Sequence, residues 1–327
     1  VDPGKIGMEL IVNDLGSPQI IGTRLFLRPA HPVSRFAIGL SAATDLHPAN
    51  DIAATEVDFA DVINSDPAII HFAADVDIPI VENDIFSVIL FGDAGAFLPY
   101  LRQGVGTLNA GLQPQVLFSD SQISLSSLRN YGIMSGVFGE IIGIDYRLEY
   151  RNFHGIFSPY YTETYERFRG QRALEILDFL QDSNNVAYDN RIQGIYGEAG
   201  FDLFNEAIVF DLGYLWPWGE VADLSTNDYL QASIVLAPDL LPLGIYGSAY
   251  YTRTGFAQTI MNGGDINLFD ANTVLEGEII YPLTSTMHIA ITLGTSASRD
   301  ANGDQVYDSN GMPVSVFSMG FETRIGY

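Results

Sequence analysis

The 327 residues carry 40 Asp+Glu against 15 Lys+Arg, a formal charge of −25, and only 17% are charged, against roughly 25% in ordinary soluble domains. That balance excludes a nucleic-acid partner, which needs a basic face, while 47% apolar and 12% aromatic residues exclude intrinsic disorder. The absence of cysteine removes disulfides, thiolate catalysis and Cys-based metal sites.

Val1 to Lys5 have neither the basic start nor the apolar run of a secretion signal, so the chain is expected to be a mature, processed form. A membrane-spanning helix needs about 18 to 20 apolar residues. The best uncharged run, Ile279 to Ser298, is broken by Pro282, Thr284, Ser285, Thr286 and His288.

Two-residue alternation recurs along the chain and predicts strands near 6–13, 20–28, 34–44, 68–79, 85–96, 131–141, 143–153, 191–204, 206–216, 228–237, 243–254, 271–282, 287–297 and 314–327. Residues 97–130 form an insertion that alternates poorly but has room for two further strands, so fourteen and sixteen strands both fit. Within the long connection 154–190, residues 162–182 carry a broad apolar stripe (Tyr165, Phe168, Leu174, Leu177, Phe179, Leu180) at helical spacing. Short connections such as Ile80–Asp84, Ile142, Asn205, Pro238–Pro242 and Leu283–Thr286 alternate with long ones at 45–67, 97–130, 154–190, 255–270 and 298–313. Strands of about eleven residues, short turns at one end and long loops at the other predict one all-β domain over 1–327, a transmembrane antiparallel β-barrel. Aromatic residues at the outward strand ends (Tyr150, Tyr214, Trp216, Tyr251, Tyr281) suit its two interfaces. A soluble sandwich or propeller would also favour tyrosine in strands, but would not need one apolar face on every strand.

At the end of the chain Phe317, Met319, Phe321, Thr323, Ile325 and Tyr327 share one face. This stretch resembles the C-terminal assembly signal of Gram-negative outer-membrane proteins. The resemblance implies export, residence in outer-membrane lipid and insertion by the barrel-assembly machinery; it implies nothing about a transported solute.

With the polar faces turned inward, the lumen receives Glu9, Asp75, Asp77, Asp93, Glu140, Asp145, Glu149, Glu198, Asp202, Asp211, Glu276, Glu278 and Glu322 against Arg24, Arg28, Arg147, Arg151 and Arg324. Thirteen acids over five bases favour cations in a water-filled pore. The expected function is a porin-like channel, monomeric or a homo-oligomer, for passive diffusion of small polar solutes. Two alternatives use the same residues: a structural or adhesive barrel with a plugged lumen, and a carrier of apolar ligands through a lateral opening, suited by Ile89, Phe91, Met134 and Phe138. Asp145, Arg147, Glu149 and Arg151 share one face and read as a neutral brace in which Glu149→Gln is tolerated. Asp300, Asn302, Asp304 and Asp308 sit at near-alternate positions as in calcium loops, although Gly303 and Gly311 break that pattern and turn chemistry explains the same residues. The five histidines fall in no nucleophile motif, so no enzyme, outer-membrane hydrolases included, is expected and no cofactor other than that calcium is indicated.

Overall fold

The computed structural model describes residues 4–13, 16, 18–31, 33–51, 64–83, 85–119, 127–157, 165–181, 190–204, 207–219, 222, 227–238, 241–261, 273–284, 287–298, 306 and 314–325. The strands are β1 (Ile6–Val12), β2 (Ile20–Leu27), β3 (Ala37–Asp45), β4 (Pro67–Glu82), β5 (Ser87–Leu101), β6 (Gly111–Leu112), β7 (Tyr131–Ile141), β8 (Ile144–His154), β9 (Arg191–Leu203), β10 (Ile208–Gly219), β11 (Tyr229–Leu236), β12 (Tyr246–Arg253), β13 (Thr273–Pro282), β14 (Met287–Ala297) and β15 (Ser315–Ile325). Among the described residues two α-helices accompany them, α1 (Tyr165–Gln181) and α2 (Phe256–Met261). No helix of the described residues is long and apolar enough to cross a membrane.

All strands lie in one sheet, in which each pairs antiparallel with the next along β1 to β15, except that β6 hangs off β5 and β7 takes its place in the path. The fourteen expected strands are the fourteen of this path. Among the described residues the insertion 97–130 supplies no full extra hairpin: β5 runs on to Leu101, because Phe97, Pro99 and Leu101 continue its alternation, and β6 is two residues long. The β7–β8 turn, Ile142–Gly143, has positive φ at both residues (52° and 76°), as a tight primed turn between twisted strands requires. Among the described residues, β1 and β15 do not pair, so the sheet has two edges.

The register keeps the apolar residues on one face along the path, with one shift, between Pro79 and Val81 at the end of β4. Met8 faces Leu25 and Leu25 faces Leu40; Ile78 faces Leu90; Val137 faces Leu148; Ile279 faces Ile291 and Ile291 faces Phe321. This apolar face is open to the surroundings, with Leu148 52% and Met319 75% exposed. The opposite face carries Glu9 against Arg24, Asp75 against Asp93, Arg147 against Glu198 and Glu276 against Gly294. It is concave: a single cavity of about 410 Å³ is lined by residues of β2, β3, β4, β5, β7 and β8, from Arg24 to Arg147.

Candidate functional site: the concave face and its plug

The side chains of the concave face pack because glycines of one strand make room for polar groups of the next. A Cβ built on Gly39 would lie 2.3 Å from Asp75 Oδ1; the bare backbone lets Asp75 accept a hydrogen bond from Arg24 Nη2 at 2.9 Å. Gly213 leaves room in the same way for the Tyr196 hydroxyl, which donates to Glu198 at 3.0 Å. Gln231 donates to the other oxygen of Glu198 at 3.3 Å, and Ser233 to Asp211 at 2.8 Å.

On β8 three of the four residues expected to form a brace, Arg147, Glu149 and Arg151, come together, and Asp145 stands apart from them. Glu149 is fully buried and accepts from Arg147 Nε at 2.7 Å and from Arg151 Nε on its other oxygen. Arg147 stands 4.5 Å over the Phe91 ring and Arg151 4.2 Å over Tyr196, so both guanidinium groups are stacked as well as paired. Removing one partner of so buried a set costs about 3–5 kcal/mol. This burial argues against the expectation that Glu149→Gln is tolerated: the alternation shows the row neutral, but one anion holds two cations, and alternation carries no information about burial. A further arginine, Arg324, bridges Glu278 at 2.8 Å and Glu322 at 3.1 Å. Arg28, just past β2, lies 5.1 Å from the Phe26 ring centroid.

The acids outnumber these partners. Among the described residues, no arginine lies within ion-pair distance of Asp77, Asp93, Glu140, Asp145 or Glu276. Glu140, Asp145 and Glu276 are exposed. Glu276 and Glu278 line a cavity of about 460 Å³ with Ser248, Tyr250, Thr292 and Ser318, a polar wall on the β12–β15 side.

At the end carrying the long connections, the same face is covered. Ile69, Phe97 and Leu101 of β4 and β5 pack with Val116 and with Ala173, Ile176, Leu177, Phe179 and Leu180 of α1 into one buried cluster. Of the helical stripe anticipated over 162–182, Leu174, Leu177, Phe179 and Leu180 pack into this cluster, while the side chains of Tyr165 and Phe168 lie outside the described residues. Arg169 of α1 fixes it, donating through Nε and Nη2 to Asp45 at 2.7 and 2.6 Å, to the His47 carbonyl at 2.8 Å and to the Gln19 side chain. The insertion is tied in too: Arg129 sits 4.7 Å over Phe179, Asn130 donates to the Val116 carbonyl at 2.7 Å, and Arg102 reaches Asp66 and the Leu46 carbonyl. Beyond the end of β10, buried Asp228 accepts the Tyr214 hydroxyl and the backbone N–H groups of Gly255, Phe256 and Ala257, which starts α2.

The expected pore-lining residues thus share one face, but they do not form one site. Glu149 is buried in a brace, Asp75, Glu278 and Glu322 are paired, and the unpaired acids are spread along the face. Sequence alone did not single out Asp45, Arg169 or Asp228, whose partners lie 124 residues away for the first two. Among the described residues, no group of three or more His, Asp or Glu is placed to hold a metal; Asp300, Asn302, Asp304 and Asp308 lie outside the described residues, as does Tyr327. No family model and no curated protein matches the chain.

Proposed function

We propose that the chain is a bacterial outer-membrane β-barrel that passes small hydrophilic solutes, cations ahead of anions, through a lumen narrowed at one mouth by α1 and the 97–130 insertion. The observation that carries the reading is the continuous concave face on which, among the described residues, Asp77, Asp93, Glu140, Asp145 and Glu276 have no arginine within ion-pair distance. An apolar face exposed on most of the strands supports lipid as the outer surroundings, since soluble proteins rarely leave so much apolar area contiguous. Lipid would also close the seam, because unpaired backbone groups of β1 and β15 cost several kcal/mol each there. Phe317, Met319, Phe321 and Ile325 on the last strand then serve as the signal read by the assembly machinery.

A second reading, a plugged structural barrel, is favoured by the dry cluster under α1, where Phe97 and Phe179 have no exposed surface. Planar-bilayer recording under a salt gradient separates the two. The channel reading expects a reversal potential on the cation side that moves toward anions in Glu276→Lys. Absence of any conductance overturns it in favour of the plugged barrel.

A further inference from the structure

Beside the buried cluster under α1, the concave face forms a half-open chamber of about 360 Å³ that shares Arg24, Ser41, Ala73, Asp93 and Met134 with the 410 Å³ cavity. Its shape follows from the register. Ser41 faces Ala73, Ala73 faces Gly95 and Gly95 faces Gly132, so four neighbouring strands present their smallest side chains at one level. On one side of this level stand His71 and Phe97, 5.7 Å apart between ring centroids. Phe157 closes over it, stacked on Phe97 and lying where a Cβ on Gly132 would come within 2.2 Å of its ring. On the other side stand Asp93 and its register partner Met134, with Asp75, the partner of Asp93 on β4, behind them.

We infer that this chamber is a binding site for an uncharged apolar small molecule of two or three fused rings, or of equivalent aliphatic bulk. The lining decides the chemistry. Ile11, Ala43, Ala73, Met134 and Phe157 present carbon to the space, and water against such walls is poorly bonded, so its displacement by an apolar group favours binding. The volume decides the size. A cavity of about 150 Å³ lined by aliphatic and aromatic side chains holds one benzene, and this chamber is more than twice that, within the range of small-molecule sites. An anionic head group finds no open counter-charge, because Arg24, the one arginine lining the chamber, is engaged by Asp75 at 2.9 Å and Asp93 stands nearby.

The test uses the full chain in lipid nanodiscs with 1-fluoronaphthalene, followed by ¹⁹F NMR, in which protein-bound and lipid-dissolved probe give separate signals. One saturable site per chain is expected. Ala73→Phe, which fills the chamber, should weaken it at least tenfold, and Ser248→Phe, on the β12 wall, should leave it within twofold. Should Ala73→Phe fail to assemble, Met134→Ala decides: the enlarged chamber should take a fluoropyrene at least tenfold more tightly than the parent chain does. Probe that only partitions into lipid, binding indifferent to Ala73→Phe, or an unchanged preference in Met134→Ala each overturns the site. The readout is independent of conductance, so a chain that conducts yet binds no probe overturns the site and leaves the channel standing.

Discussion

Arg169 of α1 grips both carboxylate oxygens of Asp45 at the end of β3, with only 4% and 0% of the two side chains exposed. A bidentate pair out of water is strong in geometry yet costly to break, because the survivor is left as a buried, uncompensated charge at about 3–5 kcal/mol. Asp45→Asn should therefore loosen α1 while leaving the strands intact. Hydrogen exchange on the folded protein in detergent should show faster exchange across Tyr165–Gln181 and unchanged protection in β7 and β8. Protection of α1 equal to that of the parent chain would remove the pair from its anchoring role.

The glycines of the concave face differ in what they permit, which gives a paired test. Gly39→Val puts its Cβ against Asp75 and should break the Arg24–Asp75 bridge, with overpacking of about 1–3 kcal/mol. Gly22→Ala meets nothing nearer than 3.7 Å and should be neutral. Urea midpoints in detergent micelles check both, and equal midpoints would deny that the glycine makes the space.

Strand existence was legible because alternation is a local signal: every strand from Ile6 to Ile325 in the main path answers to a stretch read from the sequence, and the face of each follows from parity. What the parity could not reveal is depth. Phe97 and Leu101 alternate like Phe91, yet they are roofed by α1 from 70 or more residues away in the chain, and that long-range packing leaves no periodic trace. Glu149 and Glu276 are both inward carboxylates in the sequence; only the neighbouring strands make one a buried clasp and the other an exposed charge.

The two faces of β8 should respond oppositely to charge in a way that also separates folding from function. Leu148 is exposed on the apolar face between Val137 and Gly197. In lipid an arginine there costs roughly 2–4 kcal/mol near the midplane, so Leu148→Arg should assemble poorly, as judged by loss of the heat-modifiable band on gels. Glu149→Gln should also lower stability, by freeing Arg147 and Arg151, whereas Glu149→Gln combined with Arg147→Gln should recover part of the loss. Assembly of Leu148→Arg at parental levels would overturn the lipid-facing assignment.

The seam makes the last prediction. β15 pairs with β14 along its whole length, from Ser315 opposite Ala297 to Ile325 opposite Met287, and β1 pairs only with β2 among the described residues. Both edges carry a full row of backbone donors and acceptors, and both present apolar side chains on the outer side: Ile6, Met8 and Leu10 on one, Phe317, Met319 and Phe321 on the other. The path holds an even number of strands, so the first and last run antiparallel and can pair without any change of direction. In hydrocarbon each unpaired group costs several kcal/mol, a penalty that closure removes and that no side-chain change can offset. Deleting Phe321–Tyr327 takes away half of that edge. The truncated chain should therefore accumulate as degraded or periplasmic material while the parent chain reaches the outer-membrane fraction, measured by fractionation and carbonate washing. Normal membrane levels of the truncated chain would show that the last strand closes nothing.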